Sequence, residues 1–324
     1  MRVSAVNFPQ SYGKLGKKHY FCAIKHSLSS MSISLDGLGI ALATPFKEDF
    51  SIDYQSLGRL IDYQVENGAD YLVVLGTTGE AVTLTDEERH DLARFVAGRV
   101  AGRVPLVLGM SGNSTYHLTH TIGHTDFSGY DAILSVVPFY NKPSQEGMRL
   151  HFEAVAKASP LPVVLYNVPG RTGANLDAAT TLRLAAEHPE KIVAIKEASG
   201  RMGQIREILE KKPADFVVIS GDDALTLPLM AMGARGVISV IGNALPAEFS
   251  RVVHLCLKGR FGEASAFDRP LQPFYRALFA EGNPSGIKAL LALRGMAEDI
   301  LRLPLTPVSE TTREHLRKAL QALG

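Results

Sequence analysis

The sequence lacks the features that would take it out of the ordinary globular range. It holds two cysteines in 324 residues, Cys22 and Cys256. Two are too few for a disulfide framework, and their spacing is not that of metal ligands. Cys256 follows the apolar stretch Val252-Val253-His254-Leu255 and reads as a buried thiol, a usage that suits a reducing cytoplasm. Charge of one sign is not in excess. With 34 basic and 33 acidic residues the formal net charge is +1, which leaves no footprint for nucleic acid or an anionic membrane. No apolar run approaches the roughly 18 residues needed to span a bilayer. No G-x-G-x-x-G or Walker loop follows any strand-like run, which argues against an open nucleotide-binding sheet. The first 35 residues contain no Asp or Glu but carry Arg2, Lys14, Lys17, Lys18 and Lys25. That composition resembles a transit peptide, but an unstructured extension, or an upstream start codon with Met31 as the natural beginning, is the favoured reading. The expectation for residues 1–35 is a disordered N-terminal extension without chemistry.

What is present is a composition 46% hydrophobic and 21% charged, enough for a large core. From Leu38 onward the hydrophobic period alternates. Short apolar, β-branched runs lie at Gly39–Ala43, Tyr71–Leu75, Pro105–Gly109, Ala132–Val136, Pro162–Tyr166, Ile192–Lys196, Phe216–Ser220 and Gly236–Val240. Helical spacing fills the intervals. The clearest helix opens on Thr85-Asp86-Glu87-Glu88, a capping box with acidic residues at the positive end. Strands alternating with helices in this way predict an α/β fold, a parallel sheet closed into a (β/α)8 TIM barrel over residues 36–260. Residues 261–324 are expected to form a C-terminal helical domain. The helices of this end are expected at Ala247–Leu257, Glu263–Phe279, Ser285–Glu298 and Ser309–Ala322.

A barrel places its chemistry in the loops after the strands, and the unusual residues fall there. The sixth strand ends on Lys196. An ammonium group at the end of a buried strand meets a desolvation cost that favours the neutral, nucleophilic amine, which condenses with ketones. A lysine reaching water, or paired with Glu197, has the same local sequence. Gly76-Thr77-Thr78-Gly79 combines flexible hinges, two hydroxyls and backbone N–H groups, a turn able to cradle a carboxylate or a phosphate. Tyr140 and Tyr166 are phenols at two strand ends, suited to proton transfer beside an imine or to packing. Arg171 in Pro169-Gly170-Arg171-Thr172-Gly173 has the planar fork that clamps a second carboxylate. Asp222 and Asp223 lack a histidine or third acid at metal-binding spacing, and a loop or capping role fits them better. His117, His120 and His124 share one helical face that is expected on the outside of the barrel. No metal is expected.

These segments resemble the dihydrodipicolinate synthase (4-hydroxy-tetrahydrodipicolinate synthase) family of pyruvate-dependent class I aldolases. The resemblance runs from about Gly37 to the C-terminus. It is carried by Gly76-Thr77-Thr78-Gly79-Glu80, Tyr140-Asn141-Lys142-Pro143, Tyr166–Gly173, Ile195-Lys196-Glu197-Ala198 and Leu301-Arg302-Leu303-Pro304 with Thr306-Pro307. It implies that Lys196 forms a Schiff base with pyruvate and that Tyr166 carries the protons. Thr77 and Tyr140 would complete a hydroxyl relay, with Tyr140 lent from a neighbouring subunit. Thr78 and the backbone at Ile238 would hold pyruvate, Arg171 would hold the carboxylate of L-aspartate 4-semialdehyde, and Gly221 would be a further substrate-binding position. It also implies a cytoplasmic lyase of lysine and diaminopimelate biosynthesis, without a cofactor, assembled as a homotetramer of two dimers. The alternatives are another pyruvate aldolase, such as an N-acetylneuraminate lyase or a keto-deoxy-sugar acid aldolase, or a catalytically silent paralogue. Family members inhibited by L-lysine bind it at a subunit interface. The matching positions here are Ala81, Asp86, Arg89, Asn113, His117 and Phe139, and the basic Arg89 and His117 oppose a cationic ligand. Weak or absent inhibition by lysine is therefore expected. Gly170, where some members carry serine, is expected to matter little.

Overall fold

The structure is a computed structural model and describes residues 33–324, so Cys22 and most of the N-terminal segment lie outside the described residues. Eight parallel strands close into a barrel in sequence order. They are β1 (Gly37–Ala41), β2 (Tyr71–Val74), β3 (Leu106–Gly109), β4 (Ala132–Val136), β5 (Val163–Asn167), β6 (Ile192–Glu197), β7 (Val217–Ser220) and β8 (Gly236–Ser239). Each is followed by a helix: α1 (Tyr54–Glu66), α2 (Asp86–Val100), α3 (Thr115–His124), α4 (Gln145–Ala158), α5 (Ala178–Glu187), α6 (Met202–Lys211), α7 (Thr226–Ala231) and α8 (Pro246–Leu257). The seam closes by pairing Gly37 with Gly236 and Ile40 with Ser239. A side chain at Gly236 would strike the Gly37 carbonyl at 2.1 Å, so the seam requires glycine there. The first strand therefore begins two residues before the apolar run predicts. Leu35, assigned by composition to the extension, is buried in the inner cluster.

Strand alternation divides the barrel into two cores. Residues such as Val73, Val107, Leu134, Val164, Tyr166, Ala194, Ile219 and Ile238 fill the interior. Leu72, Leu108, Ile133, Leu165, Ile195 and Val218 face the helices in a much larger outer core. One irregularity decides the chemistry. Val163 pairs with Ile192 and Val164 with Ala194, so Val193 is an extra residue in β6. Counted strictly from the outward-facing Ile192, alternation would turn Lys196 outward. The bulge at Val193 inverts the count, so that Ala194 and Lys196 face inward and Ile195 and Glu197 outward.

After α8, helices α9 (Phe261–Asp268), α10 (Gln272–Phe279), α11 (Ser285–Leu293) and α12 (Glu310–Leu323) complete one compact unit with the barrel. The expected division at residue 260 falls in the turn between α8 and α9. The single helix expected over Glu263–Phe279 is broken by a tight turn at Arg269–Leu271, because Pro270 and Pro273 lack the N–H that a continuous helix needs. The helix expected to reach Glu298 stops at Leu293. Gly295 there takes φ +66°, and Met296 N–H returns to the Leu291 carbonyl at 2.9 Å, a Schellman closure.

The helical end is tied to the barrel by charge. Arg302 forms two parallel hydrogen bonds with Glu88, at 2.7 and 2.5 Å. The same carboxylate completes the predicted capping box on α2, accepting from Thr85 N–H at 2.9 Å. Chiefly through Arg302, the Glu88 pKa is held down at about 2. A carboxylate depressed in the folded state stabilises above its unfolded pKa and loses that contribution as pH falls through the folded value. Glu88→Gln is expected to destabilise by about 2 kcal/mol at neutral pH. Urea titrations should show the difference from wild type narrowing as pH drops from about 4.5 towards about 2. A difference independent of pH would contradict the ion-pair origin.

Candidate active site

The C-terminal ends of β2, β4, β5 and β6 supply the site. Tyr166 and Lys196 are direct partners across β5 and β6, both buried on the inner face. The Lys196 ammonium nitrogen lies 4.4 Å from the centre of the Tyr166 ring. The pairing of Lys196 with Glu197 that the sequence left open does not occur. Glu197 points into the outer core, where it accepts from Asn167 Nδ2 at 3.1 Å and from Ser199 N–H at 2.8 Å. Its burial pushes the carboxyl pKa up. Among the described residues Lys196 forms no ion pair. Gly221 sits against its aliphatic stem. A Cβ there would lie 3.2 Å from Lys196 Cε and 2.6 Å from Ala198 Cβ, so glycine leaves the space in which Lys196 extends.

A pocket of about 380 Å³ opens beside this pair, lined among others by Gly76, Thr77, Phe139, Tyr166, Val168 and Arg171. Its size suits a small ligand and no polymer. Thr77, Thr78 and Gly79 form one turn of 3₁₀ helix with no side chain capping its start, which leaves the first N–H groups of the turn unpaired by it. Thr44 Oγ1 donates to the Gly79 carbonyl at 2.7 Å and holds the turn from below. Leu75 (φ +58°) and Glu80 (φ +53°) bracket it in left-handed conformations. Such strain persists where surrounding contacts over-determine the backbone. Here the determinant is buried charge. Glu80 pairs with Lys288 of α11, both side chains nearly inaccessible, and Lys288 also donates to the Ile300 carbonyl at 2.8 Å. Burial lowers the Lys288 pKa to about 8.

The structure thus brings Tyr166, Thr77 and Arg171 to one pocket, and Lys196, not itself among the lining residues, lies against Tyr166. Thr78, beside Thr77, is buried, and Ile238 lies on the inner face of β8. Tyr140 is separate: the residue is 88% exposed, its backbone is left-handed at φ +75°, and it does not line the pocket of its own chain. Sequence reading passed over Asn283, whose Nδ2 donates to Thr78 Oγ1 at 3.0 Å and whose carbonyl accepts from Arg171 Nη2 at 3.4 Å. Its one sequence signal is a Gly282-Asn283-Pro284 turn between helices.

The other candidates take structural roles. Asp222 accepts from Ala224 N–H at 2.9 Å as a turn cap. Buried Asp223 binds the N–H groups of Val240 and Ile241 at 3.1 and 2.8 Å, its pKa raised to about 6 by burial. His120 and His124 stack at 4.3 Å on the outer helix α3. Cys256 is buried, which pushes its pKa up to about 11. No cluster of metal-binding residues occurs among the described residues.

A closed (β/α)8 barrel carrying a buried lysine at its C-terminal rim, without an ion-pair partner among the described residues and beside a phenol and a threonine pair, defines an enzyme of the class I aldolase type. The chain belongs to the dihydrodipicolinate synthetase family, whose sequence model matches residues 34–323. A 4-hydroxy-tetrahydrodipicolinate synthase of Parabacteroides distasonis is 54% identical over 292 residues, covering 90% of this chain and 98% of that protein. The crystal structure of dihydrodipicolinate synthase from Aquifex aeolicus superposes with a TM-score of 0.86 at 42% identity, over 89% of this chain and 98% of that one. The chloride-inhibited enzyme from Acinetobacter baumannii, complexed with pyruvate, gives a TM-score of 0.86 at 37% identity, over 89% and 99%.

Proposed function

We propose that this chain condenses pyruvate with L-aspartate 4-semialdehyde to 4-hydroxy-tetrahydrodipicolinate, a step of diaminopimelate and lysine biosynthesis. The observation that carries the reading is the Lys196 amine, facing into the barrel 4.4 Å over the Tyr166 ring and free of any carboxylate among the described residues. The unprotonated amine attacks the ketone of pyruvate, and loss of water gives the imine. Tyr166, with Thr77 at the pocket wall, moves the protons, including the one taken from the pyruvate methyl group as the enamine forms. Thr78 and the backbone at Ile238 hold the pyruvate carboxylate, while Gly221 keeps the space around Lys196 clear. The enamine carbon adds to the aldehyde, whose oxygen takes a proton. The amino group of the former semialdehyde then attacks the imine carbon and releases Lys196 as the ring closes. Arg171 binds the carboxylate of the semialdehyde. Holding both substrates in this arrangement supplies the proximity term without an organic cofactor.

The exposed Tyr140 serves the site of a neighbouring subunit in a homotetramer built as a dimer of dimers. The protein works in the cytoplasm, a reading that rests on the resemblance to a biosynthetic enzyme family; among the described residues no helix is long and apolar enough to cross a membrane. Condensation assays with pyruvate test the choice of acceptor. Turnover is expected with L-aspartate 4-semialdehyde and not with sugar aldehydes, and Arg171→Ala should raise KM for the semialdehyde about tenfold or more. Preference for a sugar aldehyde would favour the sugar-acid aldolases, and no turnover with any acceptor the silent paralogue.

Ala81, Arg89 and Phe139 line the same pocket. Asp86, Arg89 and His117 also line a cleft of about 800 Å³ between α2 and α3, where Arg89 pairs with Asp86. With its acid thus engaged, this surface offers a lysine cation little attraction. Sub-millimolar L-lysine is expected to leave the rate almost unchanged. Half-maximal inhibition in that range would contradict this reading.

A further inference from the structure

The connection between α10 and α11 carries an asparagine that reaches two elements of the site. Asn283 is 205 residues from Thr78 in sequence, and its Nδ2 donates to the Thr78 hydroxyl oxygen at 3.0 Å. Its backbone carbonyl accepts from Arg171 at 3.4 Å. The side chain is buried, and its Oδ1 has no hydrogen-bond partner among the described residues. A buried carbonyl oxygen without a donor is unfavourable, and an apolar side chain would avoid it. Packing alone therefore does not explain an amide here.

The chemistry of the two groups does. A hydroxyl has one proton to donate and lone pairs to accept with, whereas the amide nitrogen only donates. With Nδ2 occupying a lone pair of Thr78 Oγ1, the threonine proton is not spent on Asn283. It remains available for an acceptor on the pocket side. We propose that Asn283 is a positioning residue that fixes the Thr78 hydroxyl as a donor to the substrate carboxylate. Its place is set from α11, which begins two residues further on. Lys288 N–H bonds the Pro284 carbonyl at 3.0 Å, and the Lys288 ammonium group pairs with Glu80, two residues beyond Thr78. The helical end thereby acts on the pyruvate cradle at two adjacent points. The inference rests on the reading that Thr78 binds pyruvate.

Asn283→Asp is the direct test. The carboxylate is nearly isosteric but can only accept, so it takes the Thr78 proton and turns the hydroxyl away from substrate. KM for pyruvate should rise about tenfold or more, while KM for the semialdehyde stays within about threefold, since its Arg171 contact uses the backbone carbonyl. In a Thr78→Val background the same substitution should add nothing further to KM for pyruvate. Asn283→Ala, with its fold checked by thermal unfolding, is the second variant. It frees the hydroxyl to rotate, so a smaller rise is expected, again absent with Thr78→Val. An effect of equal size with and without the threonine hydroxyl, or one confined to kcat, would overturn the proposal. Pyruvate-dependent condensation by the wild-type enzyme is the control. Its absence would remove the functional reading and this inference together, whereas its presence with an additive cycle would remove the Asn283 role alone.

Discussion

Lys196→Met is expected to lower kcat/KM for condensation by on the order of 10⁴-fold or more without loss of stability. Methionine keeps an unbranched apolar stem and fits the slot left by Gly221. What disappears is the nucleophile, and with it the imine through which the pyruvate methyl group becomes a carbon nucleophile. Positioning of the two substrates survives, but it has no enamine to position. The substitution strands no charged partner among the described residues, so the melting temperature should hold. Activity lost while stability is kept is the pattern of a residue retained for chemistry. Activity within tenfold of wild type would contradict the assignment.

Lys288→Met should give the opposite result. Both lysines are buried, but Lys288 is bound to Glu80 and the Ile300 carbonyl and lies 4.0 Å over the Phe46 ring. Truncating it strands the Glu80 carboxylate in the interior, at a loss of about 3–5 kcal/mol. Glu80→Gln should lose less, because burial already holds the Lys288 pKa at about 8 and without Glu80 the amine can shed its proton. The double variant, with no charge left to strand, should be more stable than either single variant. Urea denaturation of all three measures this directly, and additive losses would contradict a coupled pair. Because Glu80 closes the turn that carries Thr77 and Thr78, the single variants should also lose activity where they remain folded. Two lysines with similar burial are thus told apart by their neighbours, one fixed as a structural ion and the other left available to react.

The barrel and the rim were legible because strand ends and loop chemistry are local. Apolar runs of the right length marked all eight strands, and Thr77, Tyr166, Arg171 and Lys196 follow from where those runs stop. The outcome at Lys196 hung on something less visible. Strict alternation from Ile192 sends Lys196 outward, and only the bulge at Val193 brings it to Tyr166, an event in pairing between strands that one strand's pattern does not encode. The break at Arg269–Leu271 had a signal in Pro270 and Pro273, which the helical spacing around them masked. Asn283 and the Glu80–Lys288 pair were illegible for another reason. They join segments about 200 residues apart, and nothing local in a Gly-Asn-Pro turn or an apolar helix shows where it docks. Tyr140 had the opposite problem: its motif is distinct, but the residue is exposed and lies outside its own chain's pocket.

The central claim is that pyruvate becomes covalently attached to one particular lysine. Incubating the protein with pyruvate and reducing it with borohydride, followed by intact-mass and peptide analysis, tests this most directly. The account predicts a single reduced adduct on the peptide containing Lys196, and none on the peptide containing Lys288. An unmodified Lys196, or an adduct placed elsewhere, would contradict it.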